Sequence, residues 1–412
     1  MVTSSNDSFV HLHTHTEYSM LDGAARLGEL FDETERLGMP ALATTDHGYL
    51  FGAFDFWRKA TDKGIKPIIG VEAYVTPGTA RGDKERVRWG DESQRKDDVS
   101  GGGSYTHMTL LSYNNVGMRN LFRASSIASL DSVFGKWPRL DRELLNTYSE
   151  GLIATTGCPS GEVQTKLRLG LYREAVEAAA EFRDIFGAEN YFCELMDHGL
   201  DIERRVTGDL LRLAKELNLP LVATNDLHYT HEHDAKAHEA LLAIQSGSTL
   251  LEPTYDNGGS RFAFSGSGYY LKSPQEMREL FRDHPEACDN TLLIAERCEV
   301  SFNTGANYMP RFPCPPGEDE TSWLVKEVDT GLKYRYPQGV PDKVRKQADY
   351  ELGVITSMGF PGYFLVVADF INWAKNNGIR VGPGRGSGAG SMVAYAMRIT
   401  DLDPLQHGLI FE

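Results

Sequence analysis

Cysteine is scarce in this 412-residue chain: five residues, at 158, 193, 288, 298 and 314, odd in number and irregularly spaced. That argues against a disulfide framework and against a CxxC zinc site, and points to a reducing compartment, the cytoplasm. No apolar run approaches the roughly 20 residues of a membrane span, and the polar opening MVTSSNDS does not read as a signal peptide. Positive charge is also short, with 42 Lys and Arg against 58 Asp and Glu, a net charge of −16. A polyanion binder usually carries a basic footprint. Such a partner would therefore need metal ions that bring their own charge, or basic surface on parts of a longer chain. What remains is an ordinary globular composition, 41% hydrophobic and 24% charged. It is enough for sizeable cores in about two to three domains.

From residue 9 to about 230 the pattern is strand, then helix, repeated. The strand-like runs are FVHLHTH, MPALATTDH, KPIIGVEAYV, THMTLLS, GLIATTG, YFCELMD and LPLVATNDLHY. Amphipathic stretches such as YREAVEAAAEFRDIFG and RRVTGDLLRLAKELN lie between most of them. Apolar strands alternating with helices argue for a parallel sheet, and seven such units suggest closure into a barrel. Residues 81–104, polar and ending VSGGGS, read as a long loop more mobile than packed. After Tyr229 the regularity fades into helices, and MPRFPCPPGEDE forms a Pro-rich connector. We place the domain boundary near residue 285, giving domains 1–285 and 286–412.

Metal-ligating residue types recur at the strand ends. If the first run is extended, His11, His13 and His15 share one face, and Val10, Leu12 and Thr14 the other. It leads into His13, His15 and then Asp22. The second run ends in Asp46-His47, the third carries Glu72, the fourth begins Tyr105-Thr106-His107, the fifth ends at Cys158, and the last carries Asp226 and His228. In β/α barrels the loops at the C-terminal strand ends bring sequence-distant side chains onto one face. Taken singly, Asp22 or Asp46 reads as a cap or turn residue, His107 as a partly buried histidine, and Cys158 as a small core residue. Taken together, five histidines, two aspartates, one glutamate and one cysteine exceed one tetrahedral site. They predict a cluster of two or three divalent metals, with zinc favoured and manganese or iron possible. His11 is placed outside this set, in an outer or packing role. His198, His231, His233 and His238 are read as ordinary.

These stretches resemble a known family. HLHTHTEYSMLDGAARL, TTDHGYLFGAFDF, KPIIGVEAYV, TGCPSGEVQTKLRLG, FCELMDHGLDIERRV and ATNDLHYT are similar to the N-terminal PHP domain (polymerase and histidinol phosphatase) of bacterial replicative DNA polymerase III alpha subunits, of the actinobacterial type. The resemblance covers essentially the whole chain. It implies an α/β fold: a PHP-type irregular seven-stranded β/α barrel, followed by an incomplete α+β polymerase palm of the polymerase-beta-like kind. It also implies that His13, His15, Asp22, His47, Glu72, His107, Cys158, Asp226 and His228 are the metal ligands and catalytic set of a 3′–5′ proofreading exonuclease. The metals would acidify water and clamp the phosphate oxygens for in-line attack on the terminal phosphodiester. For the intact protein it implies a DNA primer–template, a deoxynucleoside triphosphate, magnesium at the polymerase site, and a sliding clamp with other replisome subunits as partners. Two other readings stand beside it: a metal-stabilised structural module supporting the polymerase, and a phosphoesterase acting on a small phosphomonoester.

A second constellation is VGPGRGSGAGS, residues 381–391. Five glycines let backbone amides approach an anion, and a following helix N-terminus favours phosphate. It matches neither a Walker nor a Rossmann fingerprint. By resemblance it is the start of the palm, where Gly386 and Ser387 contact the incoming triphosphate and Arg385 adds charge. Asp401-Leu402-Asp403 invites a two-metal reading, but Asp403 precedes Pro404 and TDLDPLQHG reads as a turn. The family's catalytic aspartates belong to a PDxDxDF motif beyond Glu412, so this stretch of chain is not expected to synthesise DNA.

Overall fold

The computed structural model describes residues 7–20, 22–91, 102–306 and 308–412. The chain divides into two compact units, Met1–Phe302 and Asn303–Glu412.

The first unit is built on eight strands: β1 Ala41–Thr44, β2 Lys66–Val75, β3 Thr106–Ser112, β4 Val133–Phe134, β5 Trp137–Leu140, β6 Leu152–Thr155, β7 Tyr191–Leu195 and β8 Leu221–Ala223. Their order is β4-β5-β2-β3-β6-β7-β8, with β1 also paired to β2. Residues 9–15 close the ring. On one side Ala43 N donates to His11 O (3.0 Å) and Thr45 N to Thr14 O (2.9 Å). On the other, His15 N donates to Leu227 O (2.7 Å) and Leu227 N to His13 O (3.1 Å). All seven expected strand runs therefore take part in a closed barrel.

The sheet is not wholly parallel. β3 runs antiparallel to both β2 and β6. A parallel return needs a crossover, usually a helix, and no helix separates β2 from β3 among the described residues. The reversal has a consequence for the site. It puts His107, at the start of β3, opposite Tyr74 near the end of β2, on the same rim as the C-terminal ends of the parallel strands. The β4–β5 hairpin, which periodicity did not reveal, extends the β2 edge beyond β1 by pairing Tyr74 with Arg139 and Val75 with Leu140.

Alternation along β2 divides its side chains between two cores. Ile68 packs with Leu111, Ile153, Phe192 and Val222, while Val71, Ala73 and Val75 pack outward against the helix Asn115–Asp131 and its neighbours. Glu72 and Tyr74 lie on the Ile68 face, toward the rim. The first run does not alternate strictly. Val10 and Leu12 join the Ile68 core, yet His13 and His15 reach the rim cluster while His11 turns to the Lys272 carbonyl (2.8 Å). The expected single histidine face is thus broken between His11 and His13.

The helix at Pro285–Arg297 belongs to the first unit. Its Ile294 and Ala295 enter the Ile68 core, and Asn290 donates to Leu221 O (2.7 Å). The structural division falls after Phe302. The ends of the 81–104 loop are tied down, contrary to the mobile reading. Buried Arg139 donates to the carbonyls of Arg81 (2.9 Å), Asp83 and Ser104 (2.9 Å), and stacks over Phe134 at 4.7 Å. Residues 92–101 lie outside the described residues.

The second unit holds helices at Glu320–Arg335, Asp342–Ser357, Pro361–Asn376 and Met392–Ala396, and no strand among its described residues. The strand part of an α+β palm is therefore not seen in this stretch. Leu324, Val328, Leu332, Ala348, Leu365 and Met392 form its core.

Candidate metal centre

Each feature of the rim follows from local backbone geometry. Asp226 adopts a left-handed backbone (φ 44°), a strained state for a residue other than glycine that persists only where the surroundings enforce it. Here Asn225 donates to the carbonyls of Gly268 and Tyr270, both at 2.9 Å, and His198 donates to Asn225 O (2.9 Å). Gly48 follows His47 at φ +65°, where a Cβ would stand 2.7 Å from the Tyr74 ring. Only glycine lets the chain turn there while His47 points inward.

The structure brings all nine sequence-predicted rim residues into one constellation. Glu72 is its hub: Oε1 lies 3.3 Å from His13 Nε2 and 3.0 Å from His107 Nδ1, and Oε2 lies 2.8 Å from His47 Nδ1 and 3.5 Å from His15 Nε2. Asp226 Oδ1 is 3.3 Å from His13 Nε2 and 3.2 Å from His15 Nε2. Asp22 spans His228 Nε2 (2.8 Å) and His47 Nε2 (3.4 Å), and Cys158 Sγ sits 3.5 Å from His107 Nδ1. Three overlapping triads have ligand atoms close enough for shared ions: His13–His15–Glu72, His47–Glu72–His107 and His15–His47–His228.

Their donor atoms fit a cation. Asp22 Oδ1, both Glu72 oxygens, Asp226 Oδ1, His47 Nδ1 and His228 Nε2 are buried and face one another as ion pairs, yet none meets a partner at hydrogen-bonding angles. Imidazole and carboxylate donor atoms turned toward one common point, without hydrogen-bond geometry among themselves, suit a shared divalent ion. Exposure shows how the cluster is reached. His13, His15 and Glu72 are at most 1% exposed, whereas Asp22, His47, His107 and Asp226 are 14–17% exposed and form the open edge.

The electrostatics are strongly coupled. Burial alone would push His13 down, but the carboxylates of Asp226, Glu194 and Glu72 outweigh it and hold its pKa well above the usual value. Burial and the neighbouring His47 and His228 drive His15 down to about 3. Burial would raise Glu72, yet His107, His13 and His47 hold it well below the carboxylate range. The Cys158 thiol is pushed well up by burial, Glu72 and Asp226, an effect that an adjacent divalent ion would reverse.

Several supporting groups were missed in the sequence. Glu194, fully buried on β7, accepts from His13 Nδ1 (2.8 Å), Thr224 Oγ1 (2.7 Å), Thr109 Oγ1 (3.3 Å) and Thr155 Oγ1. A lone acid inside the apolar run YFCEL was the available signal. Ser19 contacts His15 Nδ1 (3.0 Å) and donates to Asp46 (2.8 Å), whose carboxylate also accepts from Thr16 and Thr44. His238, read as ordinary, is buried and donates to the Asp22 carbonyl (2.7 Å). His198 likewise supports Asn225, while His231 and His233 stack on each other at 5.3 Å, outside the three triads.

In the second unit the glycine loop ends in a 3-10 turn, Gly386–Gly390, with Arg385, Gly386 and Ser387 exposed. Arg385 and Ser387 border a groove of about 690 Å³ that Tyr363, Phe364 and Thr400 also line. The N-terminus of the Met392–Ala396 helix is not open to phosphate, as the sequence had suggested. Buried Glu351 accepts from Met392 N (2.9 Å), Val393 N (3.0 Å) and Ser391 Oγ (2.8 Å). Asp401 and Asp403 hold no metal-like arrangement. Asp401 pairs with Arg335 (2.7 Å) and Lys375 (2.6 Å), and Asp403 accepts from Tyr336 (2.6 Å) and caps the turn at Leu405.

A β/α barrel with this histidine and carboxylate cluster on its rim is the architecture of a PHP domain, and the PHP domain family matches residues 11–198. The bacterial DNA polymerase III alpha NTPase domain family matches residues 322–412. DNA polymerase III subunit alpha of Mycobacterium tuberculosis is 58% identical over 413 residues, covering 100% of this chain and 34% of that protein. The namesake subunit of Mycobacterium leprae is 57% identical over 411 residues, covering 99% and 34%. A solved amidohydrolase from Chromobacterium violaceum aligns at 16% identity with a TM-score of 0.33, over 55% of this chain and 89% of that one. The chain belongs to the bacterial DNA polymerase III alpha subunit family, and it spans about a third of the length of the curated relatives it matches.

Proposed function

We propose that the first unit is a divalent-metal-dependent 3′–5′ exonuclease, with His13, His15, Asp22, His47, Glu72, His107, Cys158, Asp226 and His228 as its ligands. The observation that carries this reading is the convergence of buried donor atoms from Asp22, His47, Glu72, Asp226 and His228, which face one another without hydrogen-bonding angles. Three triads sharing His15, His47 and Glu72 favour two or three ions, and the mixed imidazole, carboxylate and thiol donors favour zinc, with manganese or iron as alternatives. Bound there, such ions would supply Lewis acidity, acidifying water and neutralising phosphoryl charge. The protein's own part is positional. Glu194 and Ser19 engage the Nδ1 atoms of His13 and His15, leaving both Nε2 atoms for the cluster. The edge formed by Asp22, His47, His107 and Asp226 admits a strand end while the deeper groups stay dry.

For the longer protein we propose chromosomal DNA synthesis in the cytoplasm on a primer–template, with deoxynucleoside triphosphates, magnesium and replisome partners including a sliding clamp. Arg385, Gly386 and Ser387 would meet the triphosphate; with the nearby helix N-terminus taken by Glu351, the charge there comes from Arg385 and loop amides. The test of the nuclease reading is trimming of a mismatched primer by the 412-residue chain under controlled metal. His107→Ala and Asp226→Asn are expected to lose metal and trimming together. Full trimming by either variant would overturn the assignment. Hydrolysis confined to small phosphomonoesters would favour a phosphoesterase, and metal-dependent melting without any hydrolysis would favour a structural module.

A further inference from the structure

One wall of the cluster's open edge is aromatic and cationic. Tyr105, two residues before His107, lays its ring nearly parallel to the His107 imidazole, 5.6 Å between centroids at 7°. Trp137 of the β4–β5 hairpin packs on Tyr105 at 4.9 Å, and Lys136 Nζ stands 5.9 Å over the Trp137 ring. Tyr49, two residues after His47, donates to the Lys136 carbonyl (3.4 Å) and stacks flat on Phe51 (4.8 Å, 12°). Phe51 is 71% exposed. Phe134 of the same hairpin carries Arg86 at 6.0 Å in addition to the buried Arg139 at 4.7 Å. Aromatic rings thus run from His107 through Tyr105 to Trp137 beneath Lys136, and a second stacked pair, Tyr49 and the exposed Phe51, is tied to the same hairpin through the Lys136 carbonyl.

Two features select the occupant. A buried apolar partner would not call for cations above the rings, whereas an unpaired nucleic-acid strand presents flat bases and a phosphate at every step. The local charge also departs from the chain's −16: with Arg81 paired to Asp141 and Glu143, residues 82–90 still carry Lys84, Arg86 and Arg88 against Asp83 and Glu85. We propose that Tyr49, Phe51, Tyr105 and Trp137, with Lys136 and Arg86, form a stacking platform for the nucleobases of an unpaired DNA strand whose terminal phosphodiester enters the metal cluster. This deepens the exonuclease reading and rests on it for the identity of the strand. The platform reads base faces rather than base edges, so it is indifferent to sequence.

The test uses the 412-residue chain and a fluorescein-labelled oligodeoxythymidylate closed by 3′ phosphorothioates, alongside the same strand made abasic at its 3′-terminal positions. Trp137→Ala and Phe51→Ala are each expected to weaken binding of the intact strand by about 5- to 100-fold. The abasic strand is expected to bind the unmodified chain with a similar loss and to be indifferent to Trp137→Ala. Trp137→Phe should restore binding. Phe51, being largely exposed, can be removed without unfolding the barrel, and melting with metal content checks both variants. Lys136→Ala should lower the slope of log affinity against log salt by about one unit. Unchanged binding of the intact strand by both alanine variants, or an abasic penalty that persists undiminished in Trp137→Ala, would overturn the platform. Hydrolysis of bis(p-nitrophenyl) phosphate by the unmodified chain keeps the two ideas apart. Hydrolysis without base coupling sinks the platform alone, whereas base coupling without hydrolysis sinks the nuclease reading and leaves the platform.

Discussion

Exchanging Glu194 for glutamine replaces one oxygen with an amide and removes one charge from a fully buried position. The carboxylate faces only donors: His13 Nδ1 and Thr224 on one oxygen, Thr109 and Thr155 on the other. A glutamine must point its amide at one of these pairs, so either a threonine hydroxyl turns around or His13 changes tautomer. A hydrogen bond to a charged group contributes about 1.5–3 kcal/mol. Loss of a carboxylate behind a metal-bound histidine typically lowers metal affinity about 10- to 100-fold, which is about 1.4–2.8 kcal/mol. The two routes agree in size. Competition with a chromophoric zinc chelator should therefore show Glu194→Gln binding metal about 10- to 100-fold more weakly, with hydrolysis recovered at high metal. A folded Glu194→Gln chain with undiminished affinity would refute the idea that Glu194 orients His13.

Further outcomes follow from the same geometry. Leu12→Ala, in the barrel core, should lower unfolding free energy by about 2–5 kcal/mol in denaturant titration, with the C-terminal unit unaffected. Arg139→Met should free the chain beside β3, read as faster proteolysis within residues 81–104, because the carbonyls of Arg81, Asp83 and Ser104 lose their shared donor. Glu351→Ala leaves three donors at the start of the Met392–Ala396 helix without their acceptor and should destabilise the second unit by about 3 kcal/mol or more. For Asp401, burial would raise the carboxyl, but Lys375 and Arg335 outweigh it and hold it below the usual range. The stabilisation this gives is present above the ordinary carboxyl pKa of about 4 and is lost as pH falls through the lower folded value. Asp401→Asn should flatten that acid limb in a melting series.

Sequence carried the fold and the rim unequally. The seven strand runs were visible because each is a short apolar stretch between helical periods, and closure followed from their number. The reversal of β3 was invisible, since pattern reports that a strand exists and not its direction; the missing helix after β2 was the clue. The short β4–β5 hairpin lacked the length for periodicity to register. At the rim, donors at successive strand ends stood out as types, so the residues that the structure gathers were all named. Glu194 and Asp46 escaped for a physical reason: an acid behind a ligand resembles any buried acid or turn residue until its donors are known. His238 looked like one more helical histidine until the fold placed it on the Asp22 carbonyl. Strict alternation would have grouped His11 with His13 and His15, and only the break in the first strand separates them. The helix after the glycine loop taught the opposite lesson, because its first amides, expected to favour phosphate, are already taken by Glu351, a residue some forty positions earlier.

The central claim is that the rim residues hold divalent ions. Anomalous diffraction from crystals of the 412-residue chain, collected at the zinc, iron and manganese edges, tests it most directly. The account predicts two or three peaks enclosed by His13, Glu72, His107, Asp226 and His228, lost together in Asp226→Asn. A chain crystallised with excess metal that shows no peak there, with Glu72 still facing the same histidines, would contradict it.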